Sequence, residues 1–455
     1  MGTEVRQENK MGVMPVNKLL ISMSLPMMIS MLVQALYNIV DSIFVARIDE
    51  KALTAVSMAF PLQTLMIALG GGMGVGVNAV LSKALGEKDF KKADKAAING
   101  VFLSVVSYLV FLVVGLFVTG PFYLSQTDDP QIIEYGKLYL TIVCCCSFGM
   151  YGQFIFERLL QSTGRTFYTM ITQGTGAIIN IILDPIFIFG YFGVPKMGVA
   201  GAAIATVIGQ IVAAIIALII NIKKNTDIRL HMKGYRPDLR MIGQIYAVGV
   251  PSIIMQSIGS VMTYGMNKIL INFSSTAVAV FGVYFKLQSF IFMPVFGLNN
   301  GMVPIIAYNY GAGKRERLIK TLKLSICYAV GIMAIGFLVF QIFPAQLFVL
   351  FEASETMLAI GVPALRIISI SFLLAGFCII SGSLFQALGN GVYSMVVSIA
   401  RQLVVLLPVA YLLALAGNVD YVWWSFPIAE LMSLTMTIIF LIRINNKIIR
   451  HIGEE

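Results

Sequence analysis

With 455 residues, 58% of them hydrophobic and only 12% charged, the chain is far more apolar than a soluble protein, in which about 25% of residues are charged. Two histidines and five cysteines without metal-type spacing argue against a metal-dependent membrane enzyme, and no nucleophile or general-base motif suggests other catalysis. We therefore expect no enzyme, no cofactor and no resident metal, and the net charge of +10 has to be placed along the chain before it says anything about partners.

Residues 1–17 are polar and read as a short tail; the apolar run after them is too long for a signal-peptide core and has no cleavage site behind it. Crossing the hydrocarbon core takes roughly 20 apolar residues. Twelve such spans are predicted in chain order, at 18–46, 52–82, 95–118, 132–157, 166–190, 198–221, 242–271, 277–308, 318–342, 356–383, 392–416 and 421–443. The fold class is all-α and integral to a membrane, and the surrounding partners are lipids.

Of the 32 Lys and Arg residues, 24 fall in the two tails and in the 2–3, 4–5, 6–7 and 8–9 loops, with Arg158 and Arg165 assigned to the 4–5 loop. Loops on the other side are nearly free of them. The positive-inside rule then places both termini in the cytoplasm of a multi-pass cell-membrane protein. The charge is a topology signal spread over short segments, so no nucleic-acid footprint is expected.

A single offset of 225 residues aligns the two halves. Pro26 matches Pro251; Phe60, Leu62, Gln63, Gly72 and Gly76 match Phe285, Leu287, Gln288, Gly297 and Gly301; Gly86 matches Gly311; Gln161 and Gly164 match Gln386 and Gly389. Six spans per copy leave both copies in the same orientation, related by a pseudo-two-fold axis along the membrane normal. The expected lobes are residues 1–225, spans 1–6, and 226–455, spans 7–12. The glycines from Gly70 to Gly76 lie inside a span without a following Gly-Lys-Ser/Thr, and read as close helix packing rather than phosphate binding.

Ionisable groups inside a bilayer are costly and are functional candidates by default. The first half carries Asp41 in span 1 and Asp184 in span 5, both ~10 Å below the outer boundary at 1.5 Å per residue. Tyr37 precedes Asp41 by four residues and Gln34 by seven, while Asn180 precedes Asp184 by four, so each set shares a helix face. Tyr139 and Thr206 fall near the same level. A carboxylate in low dielectric can take and release a proton near neutral pH, and the same oxygens could hold Na⁺. Asp41, Asp184, Asn180, Tyr139 and Thr206 are thus the candidate coupling residues for H⁺ or Na⁺. Gln34, Tyr37, Asn38, Gln63, Met255 and Gln256 are the candidate substrate contacts. The offset pairs Asp41 with Met266 and Asp184 with Val409, and the second half instead carries Lys286, Arg366, Arg401 and Glu430, with Glu430 free to pair with a base.

SLPMMISMLVQALYNIVDSIFV, AFPLQTLMIALGGGMGVGVNAVLSKALGEKD, LQSTGRTFY, NIILDPIFIFG and FGLNNGMVPIIAYNYGAGKRER together resemble the multidrug and toxic compound extrusion (MATE) family over essentially the whole chain. The resemblance implies two six-helix bundles around a V-shaped cleft and antiport of amphipathic, often cationic, compounds against H⁺ or Na⁺ by a monomer. It carries the family's coupling carboxylates onto Asp41 and Asp184, with Asn180, Tyr139 and Thr206 as their polar neighbours. Met255, Gln256, Ser369 and Ser371 stand where one branch of the family has acids in spans 7 and 10, so the chain is more similar to the prokaryotic branch that couples through the N-lobe. The alternative is a flippase for a lipid-linked saccharide or cell-wall precursor, in which Lys286, Arg366 and Arg401 would meet a diphosphate.

Overall fold

A computed structural model describes residues 6–454, which are helical in all their regular elements. Eleven helices are long and apolar enough to cross a bilayer, and a twelfth span is a pair bent by 44°. In the first half they are α1 (Val16–Ala46), α2 (Phe60–Gly86), α3 (Phe90–Phe117), α4 (the bent pair Pro130–Cys145 and Phe148–Ser162), α5 (Thr166–Phe189) and α6 (Val199–Lys223). In the second half they are α7 (Leu239–Ile271), α8 (Ser275–Gly311), α9 (Arg315–Ile342), α10 (Glu355–Ala387), α11 (Gly391–Ala414) and α12 (Val419–His451). The apolar stripe of α3, including Val106, Leu109, Val113 and Leu116, is exposed. Such a surface is stable in lipid and would be a liability in water.

The 225-residue offset recurs in the local signals that start and stop helices. Asp49 and Ser274 cap the helices that follow them through the backbone N–H of Ala52, at 2.6 Å, and of Ala277, at 3.1 Å. Asp129 and Ser354 do the same for α4 and α10. Each satisfies an orphan donor of a first turn. Gly164 and Gly389 both adopt a left-handed conformation, φ +87° and +83°, which turns the chain after α4 and after α10. Pro26 and Pro251 lie inside the unbroken helices α1 and α7.

The same offset governs how the halves meet. A Cβ on Gly72 would stand 2.8 Å from the backbone N of Ile253, and one on its counterpart Gly297 would stand 2.7 Å from the backbone N of Met28, which is the counterpart of Ile253. A Cβ on Gly86 would lie 1.9 Å from the carbonyl O of Tyr308, and one on Gly311 would lie 2.1 Å from that of Lys83. Reciprocal contacts of this kind are what a two-fold axis produces. The glycines are required because backbones touch there. The Gly86 and Gly311 approaches lie at the last residues of their helices, beside the basic loops, so the two six-helix bundles are stitched together at that end. The N-terminal segment adds to the closure. Asn9 donates to the carbonyl of Thr163 at 2.8 Å, while Arg317 and Asn309 donate to the carbonyl of Met11, each at 3.0 Å.

Candidate functional site

Helices α1 and α5 pack along each other, and this brings the carboxyl groups of Asp41 and Asp184 within electrostatic reach of each other. Each stands five residues before the last residue of its helix, about 8 Å deep at 1.5 Å per residue, close to the expected depth. Two carboxylates cannot donate to one another unless a proton lies between them, and without one they need a cation. Asp184 is fully buried, and Asp41 Oδ1 is buried without a partner. Asn180 is placed by the close approach of α5 to α6, where Gly209 faces the carbonyl of Gly176. With its amide oriented by the surrounding network, Asn180 donates to Asp184 Oδ2 at 2.9 Å and accepts from Thr206 Oγ1 at 3.1 Å. Tyr139 is buried, receives a bond from Gln63 Nε2 at 3.3 Å, and lies with Tyr37 within electrostatic reach of Asp41. All five candidate coupling residues therefore form one cluster.

The candidate substrate contacts divide. Gln34, Met255 and Gln256 line a cavity of about 630 Å³ between the bundles, toward the closed end. Tyr37 and Gln63 belong to the carboxylate cluster instead. Asn38 is exposed and lines neither. The cavity walls combine Met27, Met31, Phe154, Phe292, Phe296 and Phe385 with the amides of Gln161, Gln173 and Gln386.

Four charged side chains also reach it: Glu157, Arg158, Arg401 and Glu430. The first two correct the sequence expectation. Arg158 is not in a loop; α4 continues to Ser162, and both residues lie inside the helix. Glu157 is buried and accepts from Gln153 Nε2 at 3.0 Å, Thr172 Oγ1 at 2.8 Å and Gln173 Nε2 at 2.9 Å. The left-handed glycine at 164 and its repeat mate at 389 were the signal that the helix runs further. In the second half, Arg401 sits on a π-helical turn, Ala400–Leu406, and Glu430 pairs with it at 3.4 Å. Lys286 and Arg366 are exposed outside the cavity.

The MatE family model matches this chain twice, over residues 26–186 and 251–412, the two halves of the repeat. The chain belongs to the MatE family. Among MatE relatives, the multidrug export protein MepA of Staphylococcus haemolyticus strain JCSC1435 is 28% identical over 429 residues, covering 94% of both chains. An outward-facing multidrug resistance MATE transporter superimposes with a TM-score of 0.90 at 25% identity, covering 97% of this chain and 99% of the other. A superfamily transporter from Pyrococcus furiosus Vc1 matches with the same score, identity and coverage, and the reverse polarity of its binding pocket suggests a different function for it. The MatE fold is thus shared along the whole length, including both lobes.

Proposed function

We propose that this protein is a secondary active multidrug exporter of the cell membrane, which exchanges amphipathic compounds for H⁺ or Na⁺ by alternating access of two rocking lobes, residues 1–225 and 226–455. The observation that carries this is the presence of two sites on the same helices: a carboxylate pair that needs a proton or cation, and a separate cavity of about 630 Å³ lined by Met, Phe and amide side chains. Soft Met side chains adapt to varied ligands, which suits a broad substrate range.

The two sites are joined by helix geometry. Met27, Gln34 and Asp41 follow at intervals of seven on α1, and Gln173, Asn180 and Asp184 follow at seven and four on α5, so each set shares one face. Cavity walls and coupling acids are then opposite ends of the same two rods. With the basic loops cytoplasmic, the closed seam faces the cytoplasm and the acids face outside. An entering H⁺ or Na⁺ neutralises the pair, relaxes the packing of α1 against α5, and disturbs the cavity wall at Met27, Gln34 and Gln173. A bound amphipathic cation is released outward as the negative charge that favoured it is removed. The relation is reciprocal, since drug and ion each lower the other's affinity by the same factor.

The alternative of a flippase for a lipid-linked precursor would call on Lys286, Arg366 and Arg401 together, and only Arg401 reaches the cavity. The test is efflux of a lipophilic cation of the ethidium type from proteoliposomes carrying either a pH or a Na⁺ gradient. Gradient-driven dye movement is expected with one of the two ions. Movement of neither dye nor ion, with transfer of an anionic lipid-linked sugar instead, would overturn the proposal.

A further inference from the structure

Of the four charged side chains that line the cavity, three are engaged. Glu157 receives three hydrogen bonds, and Arg401 and Glu430 pair with each other. The Arg158 side chain has no hydrogen bond and no ion pair among the described residues; Glu157, its chain neighbour, is within electrostatic reach but already taken by its donors. A half-buried guanidinium offers five N–H donors in a fixed fork that matches a carboxylate or phosphate. Leaving it without an acceptor is costly.

The surroundings are shaped for that fork. Arg158 Nε lies 3.0 Å from where a Cβ on Gly74 would stand, so the glycine supplies the room for the guanidinium against α2. One turn along the same face, Asn78 is 1% exposed, and its side-chain amide meets the Ser82 hydroxyl at 3.1 Å, whose proton goes to the Ser162 carbonyl at 2.7 Å. Asn78 lines the same cavity. On α4, Gln161 stands one turn from Arg158 and lines the same cavity. Arg158 and Asn78 thus lie on one wall of the cavity, where the guanidinium is the charged group without an acceptor. The cavity as a whole carries two acids and two bases, so it is not an acidic pocket suited to cations alone.

We propose that Arg158, with the Asn78 amide, is a subsite for an anionic group, a carboxylate or phosphate, carried by the compound in the cavity, so that zwitterionic amphiphiles bind there as well as cations. This rests on the proposed export function for its role in transport, but the subsite itself can be read by binding alone.

A matched dye pair tests it: rhodamine 110, which has a free carboxylate, and rhodamine 123, its methyl ester. Fluorescence anisotropy with the purified full-length protein in neutral-lipid nanodiscs gives Kd for each. Arg158→Gln is expected to weaken rhodamine 110 about tenfold, the loss of one charge-assisted hydrogen-bonded contact, while rhodamine 123 binds as before or more tightly. Unchanged ester binding also reports that the variant is folded. Arg158→Lys, which keeps the charge and loses the fork, should fall between. Equal changes for both dyes, or no difference between wild type and variant for either dye, would overturn the subsite. If the Arg158-dependent preference vanishes when phosphatidylglycerol is added, a lipid phosphate occupies the guanidinium and the assignment to cargo fails. Export of neither dye from proteoliposomes, with the binding difference intact, would count against the transport function and not against the subsite.

Discussion

Asp41 and Asp184 have Met266 and Val409 as counterparts in the second lobe, while Arg401 and Glu430 have Gly176 and Ala205 in the first. Around these differences the framework repeats: Gly72 with Gly297, Gly86 with Gly311, Gly164 with Gly389, Asp49 with Ser274 as caps. The positions that repeat are those where backbone geometry leaves no choice. A Cβ at Gly86 would sit 1.9 Å from a carbonyl oxygen, and one at Gly311 would sit 2.1 Å from another. The positions that diverge carry side-chain chemistry, which needs only a polar neighbour. Met266 is fully buried among apolar residues, and the counterparts of Asn180 and Thr206 are Val405 and Leu431. One lobe thus holds the acid pair, and the other holds the Arg401–Glu430 ion pair at the cavity wall.

The largest effect should come from removing the asymmetry. Asp41→Asn and Asp184→Asn are each expected to lower gradient-driven export about 100-fold, a coupling energy of about 3 kcal/mol, with normal insertion. Glu430→Gln should cost far less, since it leaves the acid pair intact. Proteoliposome efflux rates check all three. Transplanting the acid sharpens the comparison from the other side. Met266→Asp should destabilise by about 3 kcal/mol, because the buried charge meets no partner, and should add no second coupling site; thermal unfolding and ion stoichiometry read the two effects.

Smaller effects should be symmetric. Gly86→Ala and Gly311→Ala each push the lobes apart at the closed seam, costing about 1–3 kcal/mol for the closed arrangement, and the two variants should match. Gly174→Ala, with nothing within 4 Å of the added atom, should not disturb that seam. Spin-label distances across the basic end report the opening, and a large difference between Gly86→Ala and Gly311→Ala would break the pseudo-two-fold account.

The smallest effect lies in the N-terminal segment. Glu8 accepts from Lys314 Nζ at 2.9 Å, and that ammonium holds its carboxyl below the usual range. A lowered folded-state value means the contact contributes above the ordinary carboxylate range and is lost as pH falls through the folded value. The exposed pair is screened by solvent, so the effect is slight. The thermal stability of wild type minus that of Glu8→Gln should therefore be small and positive at neutral pH and fade in acid.

Much of the fold and half of the site are legible in the sequence. Long apolar runs place most span ends within about five residues, with the second span starting at Phe60 rather than 52 and the twelfth running on to His451, and the repeat emerges because glycines forced by backbone contact cannot drift. Asp41 and Asp184 stand out because a carboxylate amid apolar helix is too costly to keep unless it has a role. Glu157 and Arg158 do not stand out. Adjacent opposite charges after an apolar run look the same whether a helix has left the membrane or turned a charged face to an internal cavity, and hydropathy cannot separate the two. Nor can spacing show which of the polar α1 residues face the cavity. Gln34 does, whereas Tyr37 belongs to the acid cluster and Asn38 to neither, because the partner helices decide.

The central claim is that ions act at the N-lobe acid pair and drugs at the cavity. The most direct measurement is simultaneous: drug binding and drug-induced ion release on the same purified sample of wild type, Asp184→Asn and Glu157→Gln. The account predicts that wild type releases H⁺ or Na⁺ when drug binds, that Asp184→Asn still binds drug and releases no ion, and that Glu157→Gln loses drug affinity while its ion uptake without drug is unchanged. Ion release of wild-type size from Asp184→Asn would contradict it.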